Sequence, residues 1–211
     1  MIDNRSDLIE KVYKWLLRDQ ATDTFITADM LDTYIQLCEA EINRELKILE
    51  LEDTETYTLS TSNNYVDLPS GYGGVLAFQY DSKPYDIQYF ATRRAMKEHF
   101  GSDTGRPKGY TLIGSKIYFN CVPDGEYEMT LDFYKKVTAL SASISENAML
   151  LEHPDLYLYG SIRQALLNIN DQVRLSPIAT VYSNIIDRIK EADKAKRMPA
   201  GGRARGRGNI G

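Results

Sequence analysis

The order of apolar and polar residues at the start of the chain predicts two helices. A polar stretch at residues 4–7 precedes the first helix, whose apolar residues recur at helical spacing: Leu8, Ile9, Val12, Trp15 and Leu16. Thr27 has a side chain suited to an N-cap, and Ile26 before it is spaced to pack on Leu31. The second helix then carries one apolar stripe: Leu31, Ile35, Cys38, Ile42 and Leu49. Glu39 falls outside this stripe.

Between about residues 56 and 137 the apolar period changes to two, which predicts β-strands. Seven segments fit: Tyr57–Ser60, Tyr65–Leu68, Val75–Tyr80, Pro84–Tyr89, Tyr110–Ile113, Lys116–Val122 and Tyr127–Lys135. Turn-forming residues separate several of them, such as Asn63-Asn64 and Gly114-Ser115. A short helix from Thr92 to about Phe100, ended by Gly101, interrupts the set. These segments predict a small antiparallel β subdomain, either a sandwich or a partial barrel.

Helical spacing returns in the last third of the chain. His153-Pro154 predicts a helix start, because proline at the first helical position leaves no amide unsatisfied. The apolar stripe that follows is Leu158, Ile162, Ala165, Ile169 and Val173, widened by Leu156 and Leu166. Ser176-Pro177 has the same form and predicts the start of a final helix. The stripe of that helix is Ile178, Val181, Tyr182, Ile185, Ile189 and Ala192.

Together these elements predict an α+β fold. Two terminal helix pairs are expected to form one antiparallel helical bundle, with the β subdomain inserted between them. The expected boundaries are residues 1–52 for the N-terminal helices, 53–140 for the β subdomain, 141–197 for the C-terminal helices and 198–211 for an extended arm.

The arm has a composition unlike the rest of the chain. Residues 198–211 contain five glycines and three arginines and almost nothing that could pack into a core. Such a segment does not offset its own ordering entropy, so it is expected to be disordered in an isolated monomer. Extended, it reaches roughly 45 Å at ~3.3 Å per residue. The composition therefore predicts a segment that a neighbouring subunit or another partner holds in place.

Charge is distributed unevenly along the chain. The net charge is −5, but the stretch from Lys190 onward carries seven basic and two acidic residues, so the body before it is strongly acidic. A basic tail on an acidic body favours docking on an acidic surface. Fifteen tyrosines mildly favour a binding protein. Cys38 and Cys121 have no close spacing, which favours reduced thiols. With no apolar run near ~20 residues, a soluble protein made in the cytoplasm is expected.

Residues that could carry catalysis or bind a metal are few. His99 and His153 have no cysteine or carboxylate at metal-ligand spacing, and each is better explained as a helix-end residue. Glu126 and Glu128 are expected on an exposed strand face. The glycine-rich stretch at residues 71–74 lacks the lysine and the following helix of a phosphate loop, which favours a loop between strands. We therefore expect no enzyme, no cofactor and no metal.

A nucleic-acid-binding protein that uses the Arg/Gly-rich C-terminal tail is the alternative function. Segments of this kind bind single strands through charge and base stacking. The tail has only three arginines, and no aromatic residue follows Tyr182. The acidic body would also repel phosphate groups, so this alternative is disfavoured.

The stretch from Asn147 to Ser161 resembles the head-to-tail adaptor (connector, or head-completion) proteins of tailed bacteriophages. The resemblance is carried by a Leu-Leu pair followed by one helix-opening run: His153, Pro154, Asp155, Leu156, Tyr157, Leu158, Tyr159 and Gly160. A Leu-Pro-Ser-Gly-Tyr segment at residues 68–72, a hairpin at residues 109–119 and the element order agree with that family. The arm is expected to be a departure from the family, since residues 201–208 resemble no fixed motif of it.

The resemblance implies a ring, typically of about twelve copies, on the portal at the neck of the virion. Such a ring extends the DNA channel, through which DNA passes without sequence-specific binding, and provides a platform for tail nozzle or fibre proteins. The bundle would face the portal and the β subdomain the tail, and no membrane is involved. The arm would grip the portal protein through Gly201, Gly202, Arg203, Arg205, Gly206, Arg207, Gly208 and Ile210, with the arginines pairing with carboxylates or carbonyls.

Overall fold

The protein consists of a helical unit and a unit built from strands. The computed structural model describes residues 1–17, 26–81 and 87–198. One unit comprises residues 1–49 together with the stretch from residue 138 onward, and the other comprises residues 50–137. The described chain is thus mixed α+β, and the fold class predicted from the sequence is confirmed.

The helical unit begins with two capped helices. Helix α1 spans Arg5–Trp15, and the Asn4 side chain accepts a hydrogen bond from the Asp7 amide at 2.9 Å. Helix α2 spans Ala28–Glu45, and the Thr27 hydroxyl accepts one from the Met30 amide at 3.3 Å. These contacts satisfy amides that a helix start leaves without intrahelical partners. The predicted N-cap at Thr27 is confirmed.

Four positions in this region differ from the sequence prediction. Trp15 is 38% exposed, and Tyr13, on the same helix, is buried and donates its hydroxyl to the Ile26 carbonyl at 2.7 Å. Leu49 lies beyond the end of α2 and is 47% exposed. Glu39 is buried, although its charge predicted exposure. Helical spacing indicates which face of a helix is apolar. It does not reveal which residues at the edge of that face are covered by a neighbouring segment.

The remaining helices of this unit are α4 (Ala148–Glu152), α5 (Pro154–Asn168) and α6 (Gln172–Arg197). Helix α5 begins at Pro154, as the sequence predicted. It packs against α1, α2, α4 and α6, so it forms the centre of the helical unit. Of its predicted stripe, Ile162 and Ala165 are buried, whereas Val173 is 86% exposed because it lies on the outer side of α6.

The predicted start of the last helix at Ser176-Pro177 is wrong. Helix α6 begins at Gln172, because the Asp171 side chain accepts a hydrogen bond from the Arg174 amide at 3.1 Å and caps the helix earlier. Pro177 therefore lies inside the helix, where its missing N–H removes one intrahelical hydrogen bond. At the other end, Ala192 is exposed and Asp193 is buried, which also reverses the prediction.

The second unit contains two sheets. Its strands are β1 (Glu52–Leu59), β2 (Tyr65–Asp67), β3 (Tyr72–Tyr80), β4 (Gln88–Tyr89), β5 (Gly109–Ile113), β6 (Lys116–Phe119) and β7 (Tyr127–Lys135). One sheet has the order β1-β7-β3 and the other β2-β6-β5-β4. Helix α3 (Arg93–Phe100) starts at the Thr92 cap and ends at Gly101, whose φ of +73° suits glycine. Both of its predicted ends are confirmed.

Strand pairing corrects two expectations for this unit. Strand β4 pairs with β5 in parallel, not antiparallel, because α3 lies between them in the chain and provides the longer crossover that a parallel pair needs. Residues 72–74 belong to β3 and not to a loop. The register of β3 against β7 shifts between Tyr72 and Gly74 and again between Val75 and Ala77, so the glycines accompany a bulged strand.

A single core lies between the two sheets. The side chains of both sheets meet in one buried cluster: Leu59, Phe78, Tyr80, Ile87, Tyr110, Ile117, Phe119, Met129, Leu131 and Phe133. Phe78 is central, with ring centroids 5.3 Å from Tyr110 and 5.9 Å from Phe119. Strand β7 alternates buried and accessible residues, as its sequence predicted. Of the two predicted forms, the unit therefore has the layout of a sandwich.

Candidate functional site

The helix-opening run forms the first two turns of α5. The His153 carbonyl accepts a hydrogen bond from the Leu156 amide at 3.1 Å, and the Asp155 carboxylate accepts a second one from the same amide at 3.0 Å. The His153 side chain makes no capping hydrogen bond, and its Nε2 atom is buried without a hydrogen-bond partner among the described residues. His153 and Pro154 thus act through backbone geometry and start the central helix.

The rest of the run anchors α5 in the helical unit. Leu156 and Tyr157 are fully buried, whereas Leu158 and Tyr159 are partly exposed. The Tyr159 ring meets the edge of the Trp15 ring with centroids 6.4 Å apart, which ties α5 to α1.

Gly160 lies where three helices come close together. A Cβ atom at this position would overlap the Cys38 sulfur on α2 and would lie 2.9 Å from the Tyr182 ring on α6. No side chain larger than hydrogen fits without a shift of the Cys38 and Tyr182 side chains or of the helices that carry them. The glycine thus allows two neighbouring helices, α2 and α6, to approach α5 at one point.

A buried polar network holds the segment that leads into α4. Glu39 Oε1 accepts hydrogen bonds from the Leu140 amide at 2.9 Å and from the Tyr157 hydroxyl at 3.2 Å. The Asn147 amide donates to that hydroxyl at 2.8 Å and to the Thr138 carbonyl at 2.7 Å. Buried polar groups with several partners specify one arrangement of the chain. The network therefore links α2, α5 and the segment at residues 138–147.

The ionisation of Glu39 is altered by this environment. Burial raises the pKa of Glu39, and the hydrogen bonds from Leu140 and Tyr157 oppose that rise only in part. Burial also raises the pKa of Tyr157, and the negative charge of Glu39 adds to this effect. The tyrosine therefore remains protonated and donates to the carboxylate.

Replacing Glu39 by glutamine is expected to change how stability depends on pH. Because the pKa is raised in the folded protein, the stabilisation due to protonated Glu39 is complete below the unfolded pKa of about 4.3 and is lost as pH rises through the folded pKa. The free energy of unfolding of the wild type minus that of Glu39→Gln should therefore fall from about pH 4 towards neutral pH. Denaturant titrations across this range measure the difference.

Glu10→Gln provides a control of opposite sign for that experiment. The hydrogen bond from Lys14 lowers the pKa of Glu10 on the surface of α1. The corresponding difference should rise with pH and then level off. A difference for Glu39→Gln that rises in the same way would contradict the buried network.

The two cysteines, and the ion pair that lies near Cys38, have structural roles. Cys38 and Cys121 are free and buried. Burial raises the pKa of Cys38 to about 12, so its thiol is protonated and unreactive at neutral pH. Near Cys38, the Arg163 guanidinium pairs with Glu41 and lies 4.5 Å from the centre of the Tyr182 ring. These groups join α2, α5 and α6 and supply no nucleophile.

The end of α6 is fastened beside the end of α2. Lys190 Nζ lies 3.1 Å from Glu45 Oε2. The Asp193 carboxylate accepts a hydrogen bond from the Leu49 amide at 2.7 Å and one from Arg197 Nε at 2.7 Å. The C-terminal end of α6 is therefore held beside the end of α2. The predicted arm residues lie outside the described residues: Gly201, Gly202, Arg203, Arg205, Gly206, Arg207, Gly208 and Ile210.

The strand unit displays aromatic rings stacked with basic groups. The Tyr65 and Tyr118 rings lie 5.6 Å apart, Arg93 lies 4.6 Å from the Tyr118 centroid, and Lys116 Nζ lies 4.0 Å from the Tyr65 centroid. Tyrosine and arginine are enriched at protein interfaces. Glu128 is exposed on β7, and Glu126 is exposed just before it, as predicted.

Sequence reasoning missed three of the residues that organise the helical unit. Glu39 could have been suspected because it directly follows Cys38 at the border of the apolar stripe. Asn147 has the residue type of an N-cap, and its Oδ1 accepts from the Leu150 amide at 2.8 Å. Asp193 lies four residues before Arg197, a spacing that favours an ion pair on a helix. The long-range partners of Glu39 and Asp193 had no local signal.

Neither a metal centre nor a membrane span occurs in the part of the chain that the structure describes. Across residues 1–17, 26–81 and 87–198, no three His, Cys, Asp or Glu side chains are placed to share a metal ion. None of the helices in these ranges combines the length and the apolar character needed to cross a membrane.

Comparison with known proteins gives one match. Residues 3–207 match the model of the family described as SU10 adaptor protein. The match spans both units and nearly the whole chain. No curated protein is similar enough in sequence to be matched.

Proposed function

Since the chain belongs to the SU10 adaptor protein family, a family of structural phage adaptors, we propose that it forms a ring on the portal at the neck of the virion. The ring, of about twelve copies, extends the DNA channel and carries the tail proteins. The observation that carries this proposal is the match over residues 3–207, because it includes the helical unit, the strand unit and part of the arm. The role is structural and requires no catalytic chemistry.

The helical unit has properties suited to a portal-facing base. Its central helix is held in place by the close approach of α2, α5 and α6 at Gly160 and by the hydrogen bonds that Glu39 accepts. A rigid unit loses little conformational entropy when it docks. The anchored end of α6 then directs the arm from a defined point, Met198, onto the portal.

The arm is proposed to grip the portal through its three arginines. Arg203, Arg205 and Arg207 alternate with small residues, so each guanidinium can reach a carboxylate or carbonyl without crowding from its neighbours. Ordering such a segment on docking lowers the affinity per unit area but makes assembly conditional on a completed portal. Because every subunit of the ring contributes the same weak contacts, the ring as a whole binds the portal more tightly than a single arm does.

The strand unit is proposed to carry the tail-facing surface. The rings of Tyr65 and Tyr118, with Arg93 and Lys116 stacked on them, present the residue types that dominate protein interfaces. The acidic body of the chain supports passage of DNA along the channel without adhesion, because like charges repel phosphate.

Deleting residues 198–211 is expected to abolish stable capture by the cognate portal protein while the body stays folded. The physical reason is the loss of three charge-assisted contacts per subunit, multiplied around the ring. Co-sedimentation of the purified chain with portal rings measures capture, and circular dichroism checks folding.

Two variants sharpen this test. Replacing Arg203, Arg205 and Arg207 together by lysine keeps the charge but removes the planar guanidinium group and its paired hydrogen bonds. Capture should therefore lie between that of the wild type and that of the deletion. Replacing all three by alanine should match the deletion. Undiminished capture by the truncated chain would refute the portal-gripping role. Tight DNA binding by the full chain that weakens steeply with salt would favour a nucleic-acid-binding tail instead.

A further inference from the structure

Helices α2 and α6 each have an outer face without charge. On α2 the exposed residues between Asp32 and Arg44 are Thr33, Gln36, Leu37 and Ala40. On α6 the exposed residues between Arg174 and Asp187 are Ser176, Pro177, Thr180, Val181, Ser183 and Asn184. Charged residues make up 26% of the chain, so two such helix faces are unusual for surfaces that stay in water.

Both faces also expose apolar side chains. Leu37 on α2 is 47% exposed, and Val173 and Val181 on α6 are 86% and 36% exposed. The core of a protein interface is depleted of charge, and short side chains lose little rotamer entropy when they are covered. Each face therefore has the composition of a buried contact surface.

Contacts inside the helical unit place the two faces at the same height, that is, at the same position along the axes of α2 and α6. Cys38 on α2 and Tyr182 on α6 both lie against Gly160, and Glu45 on α2 pairs with Lys190 on α6. The two helices thus run in the same direction with a nearly constant offset, since the Lys190–Glu45 and Asp193–Leu49 contacts join residues 145 and 144 positions apart. At this offset Leu37 is level with Val181, and Ala40 is level with Asn184.

One pair of opposite charges lies at the same height beyond the uncharged faces. Lys47, beyond the end of α2, is level with Glu191 on α6, and both residues are exposed. Arg44 is level with Arg188 and one position from Asp187, so charges of both signs lie near it. Rotation about an axis parallel to the helices preserves these heights, so a neighbouring copy presents Glu191 at the height of Lys47.

We propose that the outer face of α2 in one copy docks against the outer face of α6 in the next copy. This contact pairs two different surfaces, so it is heterologous: it builds a ring when the rotation between copies closes, and it differs from the self-complementary contact of a two-fold dimer. The proposal rests on the ring of the proposed function and assigns the surfaces that join its subunits. Leu37 and Val181 lie at its centre, and Lys47 and Glu191 at its rim.

Cysteine cross-linking tests this contact directly. Ala40→Cys and Asn184→Cys are introduced singly and together, and a short bis-maleimide is added to the full-length chain, over a concentration series and with portal rings. The double variant should give a ladder of dimers, trimers and larger species. Each single variant should stay monomeric, and an equal mixture of the two should stop at dimers. The wild type controls for Cys38 and Cys121, which are buried.

A charge swap gives a second, independent readout. Lys47→Glu should raise the concentration needed for half-maximal assembly about tenfold, because like charges then meet at the rim. Adding Glu191→Lys to that variant should restore assembly. Arg94→Glu on α3, an exposed arginine of the strand unit, should leave assembly unchanged.

The outcomes separate this inference from the proposed function. Dimers from either single variant would show a two-fold contact and overturn the inference, as would a double variant that never forms a ladder. Capture of the wild type on portal rings, scored in the same samples by co-sedimentation, decides the adaptor role. If portal rings capture the wild type but the double cysteine variant gives no ladder, the adaptor role is retained and the α2–α6 contact is rejected.

Discussion

Replacing Gly160 by alanine is expected to destabilise the helical unit by about 1–2 kcal/mol. Two opposing effects determine the result. Alanine favours a helix interior over glycine by about 1 kcal/mol. Against this, the new methyl group overlaps the Cys38 sulfur and crowds the Tyr182 ring, and overpacking of this kind typically costs about 1–3 kcal/mol or more. The overlap involves two helices, so it outweighs the propensity gain.

Urea denaturation of the wild type and of Gly160→Ala measures this change. Adding Cys38→Ala removes the sulfur and should recover part of the loss, while the contact with Tyr182 remains. Gly125→Ala is the matched control, because a Cβ atom at that position meets nothing within 4 Å. If Gly160→Ala were as stable as the control, the close approach of the three helices would be disproved.

Replacing Phe78 by alanine is expected to destabilise the strand unit by about 3–5 kcal/mol. Phe78 is 2% exposed, and its ring packs on Tyr57, Tyr110 and Phe119 from both sheets. Truncation leaves a cavity that these rings do not fill, and it removes their edge-to-face contacts. Leu76→Ala on the same strand is the control, because Leu76 is 40% exposed and should lose little.

Hydrogen exchange locates the effect of Phe78→Ala. Faster exchange should be concentrated in residues 50–137, since the core cluster lies within that unit. The same variant tests the proposed division of roles. It should keep portal capture, which is assigned to the helical unit and the arm, and lose the attachment of tail proteins. Equal loss of both activities would argue against that division.

Caps and periodicity explain why so many elements were predictable. Thr27, Thr92 and Pro154 each act within one turn of their own position, so their residue type indicates where a helix begins. The alternation in β7 has the same local character, because its side chains point to opposite faces of the sheet. The start of α6 was mispredicted because two local signals competed. Asp171 offered a cap earlier than Ser176-Pro177, and only the folded chain shows which cap is used.

The candidate site was only partly visible before the fold was known. The run from His153 to Gly160 could be identified from the sequence. The neighbours of that glycine could not, because Cys38 and Tyr182 come from helices that are distant along the chain. Glu39 was expected outside the apolar stripe, since a carboxylate is costly to bury without partners, and no local pattern indicated that Asp193 is buried. Their partners, Leu140 and Leu49, lie 101 and 144 residues away.

The sequence by itself thus determined the types of the elements, the bulk of their order and the α+β class, because these depend on interactions between residues a few positions apart. Tertiary structure alone decided which polar groups are buried, that β4 and β5 run in parallel, and that α2 and α6 run side by side at matched heights. These features arise from contacts between distant segments, and no local pattern specifies which distant groups will meet.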